Sequence, residues 1–221
     1  MKFVFFALAL LVSSTCAALE VADIASMDRT SAMAHERGCI TGVVSLVYHW
    51  QDDSAIVVSA ADPNGPAIYV CGNLPERTLV KPTYENCDGL HDGDILEITG
   101  CVTPLMLQPG FEPTKFRKIG SMVLPIPTKR RVADLKTGLL DNRRSRIEGV
   151  CRSVSSLVYE NHKIWALSLA TEDGPITAMV RGMFEPKESL RDALIEVSGV
   201  AVGVFNERSE MIDAMFLSFG G

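Results

Sequence analysis

The sequence predicts an all-β protein with short helices, built as two tandem five-stranded barrels. Three observations carry this. The chain repeats itself after about a hundred residues. Each repeat holds five short runs, apolar or alternating, separated by turn residues. A Gly-Asp turn that opens an alternating strand, closed by another glycine, recurs as a shortened pattern at the matching place in the second repeat.

The repeat comes first because it fixes the domain count. A shift of 111 residues lays Val21-Ala22-Asp23-Ile24 over Val132-Ala133-Asp134-Leu135, and Ser45-Leu46-Val47-Tyr48 over Ser156-Leu157-Val158-Tyr159. It also lays Gly38 over Gly149, Ala55 over Ala166 and Asp62 over Asp173, making eleven identities in 42 positions without a gap. Farther on the second copy is shorter, and Gly100 meets Gly199 at a shift of 99. A rival register pairs Gly42-Val43 with Gly149-Val150 at a shift of 107. The period is too long for a solenoid and means two similar domains, residues 19–124 and 125–221.

Within the first copy a short helix precedes the strands. Ser26 or Asp28 can cap it, Ala32, Met33 and His35 follow, and Gly38 breaks it. The strands are then expected at Cys39 to Tyr48, Ala55 to Ala60, Ala67 to Val70, Ile95 to Val102 and Phe116 to Val123. The second copy offers Ser145 to Val158, Ile164 to Ala170, Ile176 to Val180, Leu194 to Val204 and Met211 to Leu217. Asp62-Pro63-Asn64-Gly65-Pro66 and Asp173-Gly174-Pro175 are the matching turns. In Gly93-Asp94-Ile95-Leu96-Glu97-Ile98-Thr99-Gly100, Leu96 and Ile98 face a core while Glu97 and Thr99 face solvent. Gly100 suits the bend of a barrel strand. Leu194 to Gly199 repeats the pattern, which is common in the fourth strand of OB-folds; both copies therefore read as OB-like barrels.

The order Gly38-Cys39-Ile40-Thr41-Gly42-Val43-Val44, Gly93 to Gly100, Glu148-Gly149-Val150-Cys151-Arg152-Ser153-Val154 and Gly203-Val204-Phe205-Asn206-Glu207-Arg208 resembles the tandem OB-like extracytoplasmic region of bacterial hybrid sensor histidine kinases. The resemblance covers nearly all of the chain after its first residues. It implies a sensory or ligand-binding module without catalytic residues.

Residues 1–18 read as a signal peptide: Lys2, an apolar run from Phe3 to Val12, then Ser13-Ser14-Thr15 and small residues up to Ala18. An exported protein, periplasmic or secreted, is the expectation, with lipid anchoring at Cys16 the lesser alternative and no membrane span. Export permits disulfides, and Cys71–Cys87 and Cys39–Cys101 are plausible pairs, with Cys151 left over. Residues 19–124 carry 14 acidic and 7 basic residues, against 13 of each in residues 125–221. The acidic first half disfavours nucleic acid as a partner, because phosphate binding needs cations.

The motifs of serine hydrolases, zinc proteases, P-loop enzymes, dinucleotide-binding proteins and thioredoxins are missing, so no enzyme, cofactor or catalytic residue is expected. Among Cys71, Cys87 and His91 only Cys87 with His91 has the paired spacing of a structural zinc site, so a Cys71–Cys87 disulfide with His91 solvated is the better reading and no metal is expected. Asp52-Asp53 and Asp92 with Asp94 read as turn and loop carboxylates. OB barrels hold ligands on strands two and three and on the loops after strands one and four. The candidate binding residues are therefore Tyr48, His49, Trp50 and Gln51, with Tyr159, Asn161, His162 and Trp165 in the second copy. Their rings can stack on a ligand or simply cap the barrel end. The expected ligand is a small molecule, a glycan or an extracytoplasmic protein; nucleic acid is the alternative, as is a structural interaction module. Lys129-Arg130-Arg131, Lys136, Arg143-Arg144, Arg146 and Arg152 form the one basic cluster, read as a solvated linker and helix face.

Overall fold

The computed structural model describes residues 17–50, 53–71, 82–87, 89–105, 108–159, 162–181, 190–208 and 210–219. The first copy comprises β1 (Ala18–Leu19), α1 (Val21–Ser26), α2 (Arg29–Ala32), β2 (Arg37–Trp50), β3 (Asp53–Ser59), β4 (Ala67–Cys71), β5 (Thr83–Glu85), β6 (Asp94–Thr103) and β7 (Gly110–Ser121). The second comprises β8 (Thr128–Lys129), α3 (Val132–Leu135), β9 (Arg144–Tyr159), β10 (His162–Thr171), β11 (Gly174–Arg181), β12 (Leu194–Phe205) and β13 (Met211–Phe219). All ten expected strands are present. The helix capped by Asp28 is α2, where the Ser31 N–H donates to the Asp28 carboxylate (2.7 Å). Helix α1 is an addition: it forms because Val21 and Ile24, one turn apart, both bury against the barrel.

In the first copy β2 pairs with β3, β3 with β4, β4 with β7 in parallel, β7 with β6, and β6 again with β2. The second copy closes the same ring through β9, β10, β11, β13 and β12, with β11 and β13 parallel. Five antiparallel-rich strands closed by one parallel seam are the strand order of the OB-fold. Alternation puts Leu96, Ile98 and Val102 of β6 inside the first barrel with Ile40, Ile56 and Phe116. Ile147, Leu167, Ile176, Val197 and Phe216 fill the second.

Two glycines show why the motif needs them. A Cβ on Gly100 would stand 2.1 Å from the Glu112 carbonyl oxygen, and one on Gly199 would stand 2.0 Å from that of Leu217. Backbone approaches backbone there, so the fourth strand bends over the fifth. Gly93 adopts φ +87°, and its amide and carbonyl bond to Val44 O and the Met122 N–H, so it ties three strands at one turn.

Pairing also settles the repeat register, segment by segment. Gly42 opposes Leu96 and Gly149 opposes Ile195, so with the fourth strands offset by 99 the first strands are offset by 107. Ala55 and Ala166 keep the offset of 111 in the second strands, because Tyr48 faces Ala55 whereas Ser155 faces Ala166. The gapless register is therefore corrected within β2. Ser45-Leu46-Val47-Tyr48 corresponds to Arg152-Ser153-Val154-Ser155, and the β9–β10 hairpin is four residues longer. Each first strand carries a bulge at that place, between Val44 and Leu46 and around Arg152.

No disulfide joins the described cysteines, which corrects both expected pairs. Cys71 packs beside the cluster between the barrels while Cys87 packs on the first barrel's core, so the two face different layers. Cys39 opposes Thr99 and Cys101 opposes Arg37, leaving the two thiols diagonal across β2 and β6 rather than facing. No helix among the described residues is long and apolar enough to cross a membrane.

The outer strand face of the first barrel packs against β12 and β13 of the second. Leu46, Ala55, Val57 and Ala67 on the outside of β2, β3 and β4 form one buried cluster with Val200 of β12. Tyr69, Cys71, Val202 and Leu217 pack around it. Ser45, buried in the same face, donates to Val57 O (3.2 Å), so its hydroxyl is satisfied.

Candidate ligand surface

The strand face that receives ligands in OB barrels is covered in the first copy and open in the second. Leu46, Val57, Tyr69 and Ala67 cover it with apolar surface against β12 and β13. By register their counterparts are Ser153, Ser168, Thr177 and Pro175. Ser153, Ser155, Pro175 and Thr177 are exposed, and Ala166, Ser168 and Met179 are half-buried. A hydroxyl-rich strip thus runs across β9, β10 and β11.

At one end of the strip lies a groove of about 450 Å³. Lys129, Arg130, Arg131 and Arg152 line it with Glu148, Val150, the Thr171–Asp173 turn and Leu194. The turn is rigid: the Thr171 hydroxyl donates to Gly174 O (2.6 Å), and Gly174 adopts φ +111°. The Arg131 guanidinium grips both oxygens of Asp173, which also accepts from the Ala133 N–H (3.5 Å). That contact holds the Asp173 carboxyl below its ordinary range and pins α3 to the turn. Lys129 pairs with Glu148 (3.1 Å) and Arg152 with Asp192 (2.8 Å). Each of these pairs is exposed, worth at most about 1 kcal/mol, and so easily exchanged. Arg130 makes no ion pair among the described residues.

The sequence-predicted site residues fall elsewhere. Register places Tyr48, His49 and Trp50 at the far end of the β2–β3 hairpin, and Tyr159 opposite His162 at the far end of β9–β10. Their side chains, and Gln51 and Asn161 entirely, lie outside the described residues. Trp165 is half-buried, with the Lys163 ammonium 4.1 Å from its ring centroid, so one face is already occupied by a cation. The groove residues were legible only as charge. The basic cluster stood out in sequence, but its reading as a mere solvated face missed that Lys129, Arg130, Arg131 and Arg152 converge. Leu194 and Val150, paired across β12 and β9, carried no signal beyond strand apolarity.

The carboxylates have structural work. Asp94 is buried, accepts from the His91 N–H (3.1 Å) and pairs with Lys118 (2.6 Å). Asp92 accepts from the Val47 N–H (3.0 Å) beside Leu46 of the inter-barrel cluster. Asp141 accepts from the Gly203 N–H (3.0 Å), next to Val202 of the same cluster. Burial raises both carboxyls to about 6. No group of three metal-ligating side chains occurs among the described residues.

No family model and no curated protein matches the chain. Among solved structures, one titled as a murine DNA binding protein bound with double-stranded DNA is similar at 8% identity and a TM-score of 0.36, over 81% of this chain and 93% of that one. A replication protein A heterotrimer bound to single-stranded DNA is similar at 11% identity and 0.30, over 66% of this chain and 39% of that one. Fission yeast Pot1 with single-stranded DNA is similar at 10% identity and 0.27, over 84% and 79%. The expectation that nucleic acid is disfavoured as a partner is corrected, because the whole-chain charge balance on which it rested does not describe the surface of the second barrel. The physical reason that the charge argument failed is partition. The excess acid belongs to residues 19–124, whereas the groove cations belong to residues 125–221. A whole-chain balance averages over two surfaces.

Proposed function

We propose that the chain is a non-enzymatic binding protein that holds a single strand of nucleic acid on its second barrel. The strand lies across the open face of β9, β10 and β11 and runs into the basic groove. The observation that carries this reading is the asymmetry between the copies: one strand face is buried under its neighbour, and the equivalent face is polar, open and flanked by a groove whose four cations stand among Glu148, Glu172 and Asp173. Three adjacent strands present a strip roughly 10 Å wide, which suits one strand better than a duplex. Serine and threonine hydroxyls can donate to phosphates or base edges. Phosphate oxygens can replace Glu148 and Asp192 on Lys129 and Arg152 at little cost, since those exposed pairs contribute little.

Fluorescence anisotropy of a labelled twelve-nucleotide DNA or RNA, titrated at several salt concentrations, tests the reading. Binding should weaken linearly on a log–log plot with a slope near −2 to −3, about 0.7 for each of three or four phosphates. Absence of binding up to about 100 μM protein at low salt would overturn it.

A further inference from the structure

We infer that the groove beside α3 is a discrete subsite for one nucleotide unit, distinct from the strand face; the inference rests on the nucleic-acid reading of the second barrel. Its volume of about 450 Å³ falls within the range of small-ligand sites. Its two sides differ chemically. On one side Arg130 and Lys129 precede α3, and Arg130 has no carboxylate partner among the described residues. On the other, Leu194 is 67% exposed and pairs in register with half-buried Val150, giving an apolar ledge within a charged groove. An exposed leucine at the rim of a groove of mixed charge, in which Arg130 is the cation without a carboxylate partner among the described residues, fits a ligand with an anionic head and a flat apolar body. A nucleotide has both, with its phosphate on Arg130 and Lys129 and its base on Leu194 and Val150.

The rest of the groove supports the same division. Arg131 is committed to Asp173 and the start of α3, so it shapes the wall and does not take the phosphate. Arg152 sits in the β9 bulge, on the strand that carries Ser153 and Ser155 of the open face, and links the groove to that face. A strand crossing β9, β10 and β11 would therefore end or turn with one nucleotide seated in the pocket.

Isothermal titration of the chain with adenosine 5′-monophosphate, adenosine and inorganic phosphate, alongside the labelled twelve-nucleotide strand, tests this. The monophosphate should bind at least fivefold more tightly than either fragment. Arg130→Ala and Leu194→Ser should each weaken it at least threefold, while circular dichroism and thermal midpoint stay unchanged because both side chains are at the surface. If the long strand binds but the monophosphate does not, or if neither substitution matters, the subsite is wrong and the strand-face reading stands. If neither the strand nor the monophosphate binds, both fall. Monophosphate binding that survives both substitutions also overturns the subsite, because the nucleotide then sits elsewhere.

Discussion

The two barrels share an interior and differ on the outside. Ile56, Ile98 and Phe111 inside the first correspond by register to Leu167, Val197 and Phe216 inside the second, all buried. On the strand face, Leu46, Val57 and Tyr69 correspond to Ser153, Ser168 and Thr177. On the opposite face the polarity reverses: Cys101 and Glu112 of the first barrel stand where the second has Val200 and Leu217. Val200 and Leu217 are the residues that pack on Leu46 and Val57. The docking is head to tail, and a head-to-tail contact can propagate. The two outer faces do not match the joint: the second barrel's strand face is hydroxylic and the first barrel's β6–β7 face is charged, with Glu97 held bidentately by Arg117 (2.9 and 2.7 Å). The lesson is that a few outward-facing residues decide which face of a duplicated fold is covered and which stays open.

The comparison breaks most directly at its apolar joint. Val57→Asp or Val200→Asp buries a charge without a partner and should cost about 3–5 kcal/mol in urea denaturation. Ser168→Asp, at the position equivalent to Val57, should cost less than about 1 kcal/mol. Similar losses at the two positions would refute the division of faces.

A property the copies share should respond equally. Gly100→Ala and Gly199→Ala each drive a Cβ into a carbonyl oxygen, at 2.1 and 2.0 Å. Each should lose about 2–3 kcal/mol. A loss at only one would mean that the bends are not equivalent.

Next in size is the pH response of the two carboxyls beside the joint. Burial raises Asp92 and Asp141 to about 6, so the native state holds protons that the unfolded chain has released. Their stabilisation is present at about pH 4 and is lost as pH rises through about 6. Asp141→Asn keeps an oxygen for the Gly203 N–H, and the Asn142 amide, which donates to the other carboxylate oxygen, can turn to accept. At pH 7.5 it should therefore gain about 1–3 kcal/mol, and at pH 4 nothing. Asp92→Asn should gain less, because that residue is more open to solvent than Asp141 and also loses the attraction of Arg144. Thermal midpoints at the two pH values check both. An equal change at pH 4 and pH 7.5 would show that ionisation is not the cause.

The smallest effect separates the barrels by charge. Arg130→Ala should weaken oligonucleotide binding a few-fold and reduce the salt slope by about 0.7. Arg117→Ala on the first barrel should leave both unchanged. Anisotropy titrations distinguish them.

Much of this fold was legible in the residues. Alternation marked Leu96 and Ile98 as inward and Glu97 as outward, and β6 follows that period, whereas β3 is buried on both faces from Ala55 to Ser59. Local patterns are readable because a pleated strand turns every second side chain to the opposite face whatever lies beyond it. The Ser45–Tyr48 identity with Ser156–Tyr159 misled for the opposite reason: four like residues say nothing about which strand they face. The site was less legible still. Arg130 and Arg152 line one groove only because β8 pairs with β9, and Leu194 joins them only because β12 pairs with β9.

Sequence by itself determined two all-β barrels, their strands, their turn glycines and a basic cluster at the head of the second copy. Only the tertiary structure decided which barrel face is covered, where the cations converge and which cysteines stay apart. The division has a physical cause. Periodicity and turn chemistry act within a few residues along the chain. Burial of Val57 by Val200, and the meeting of Arg130 with Leu194, depend on contacts between segments that only the closed barrels bring together.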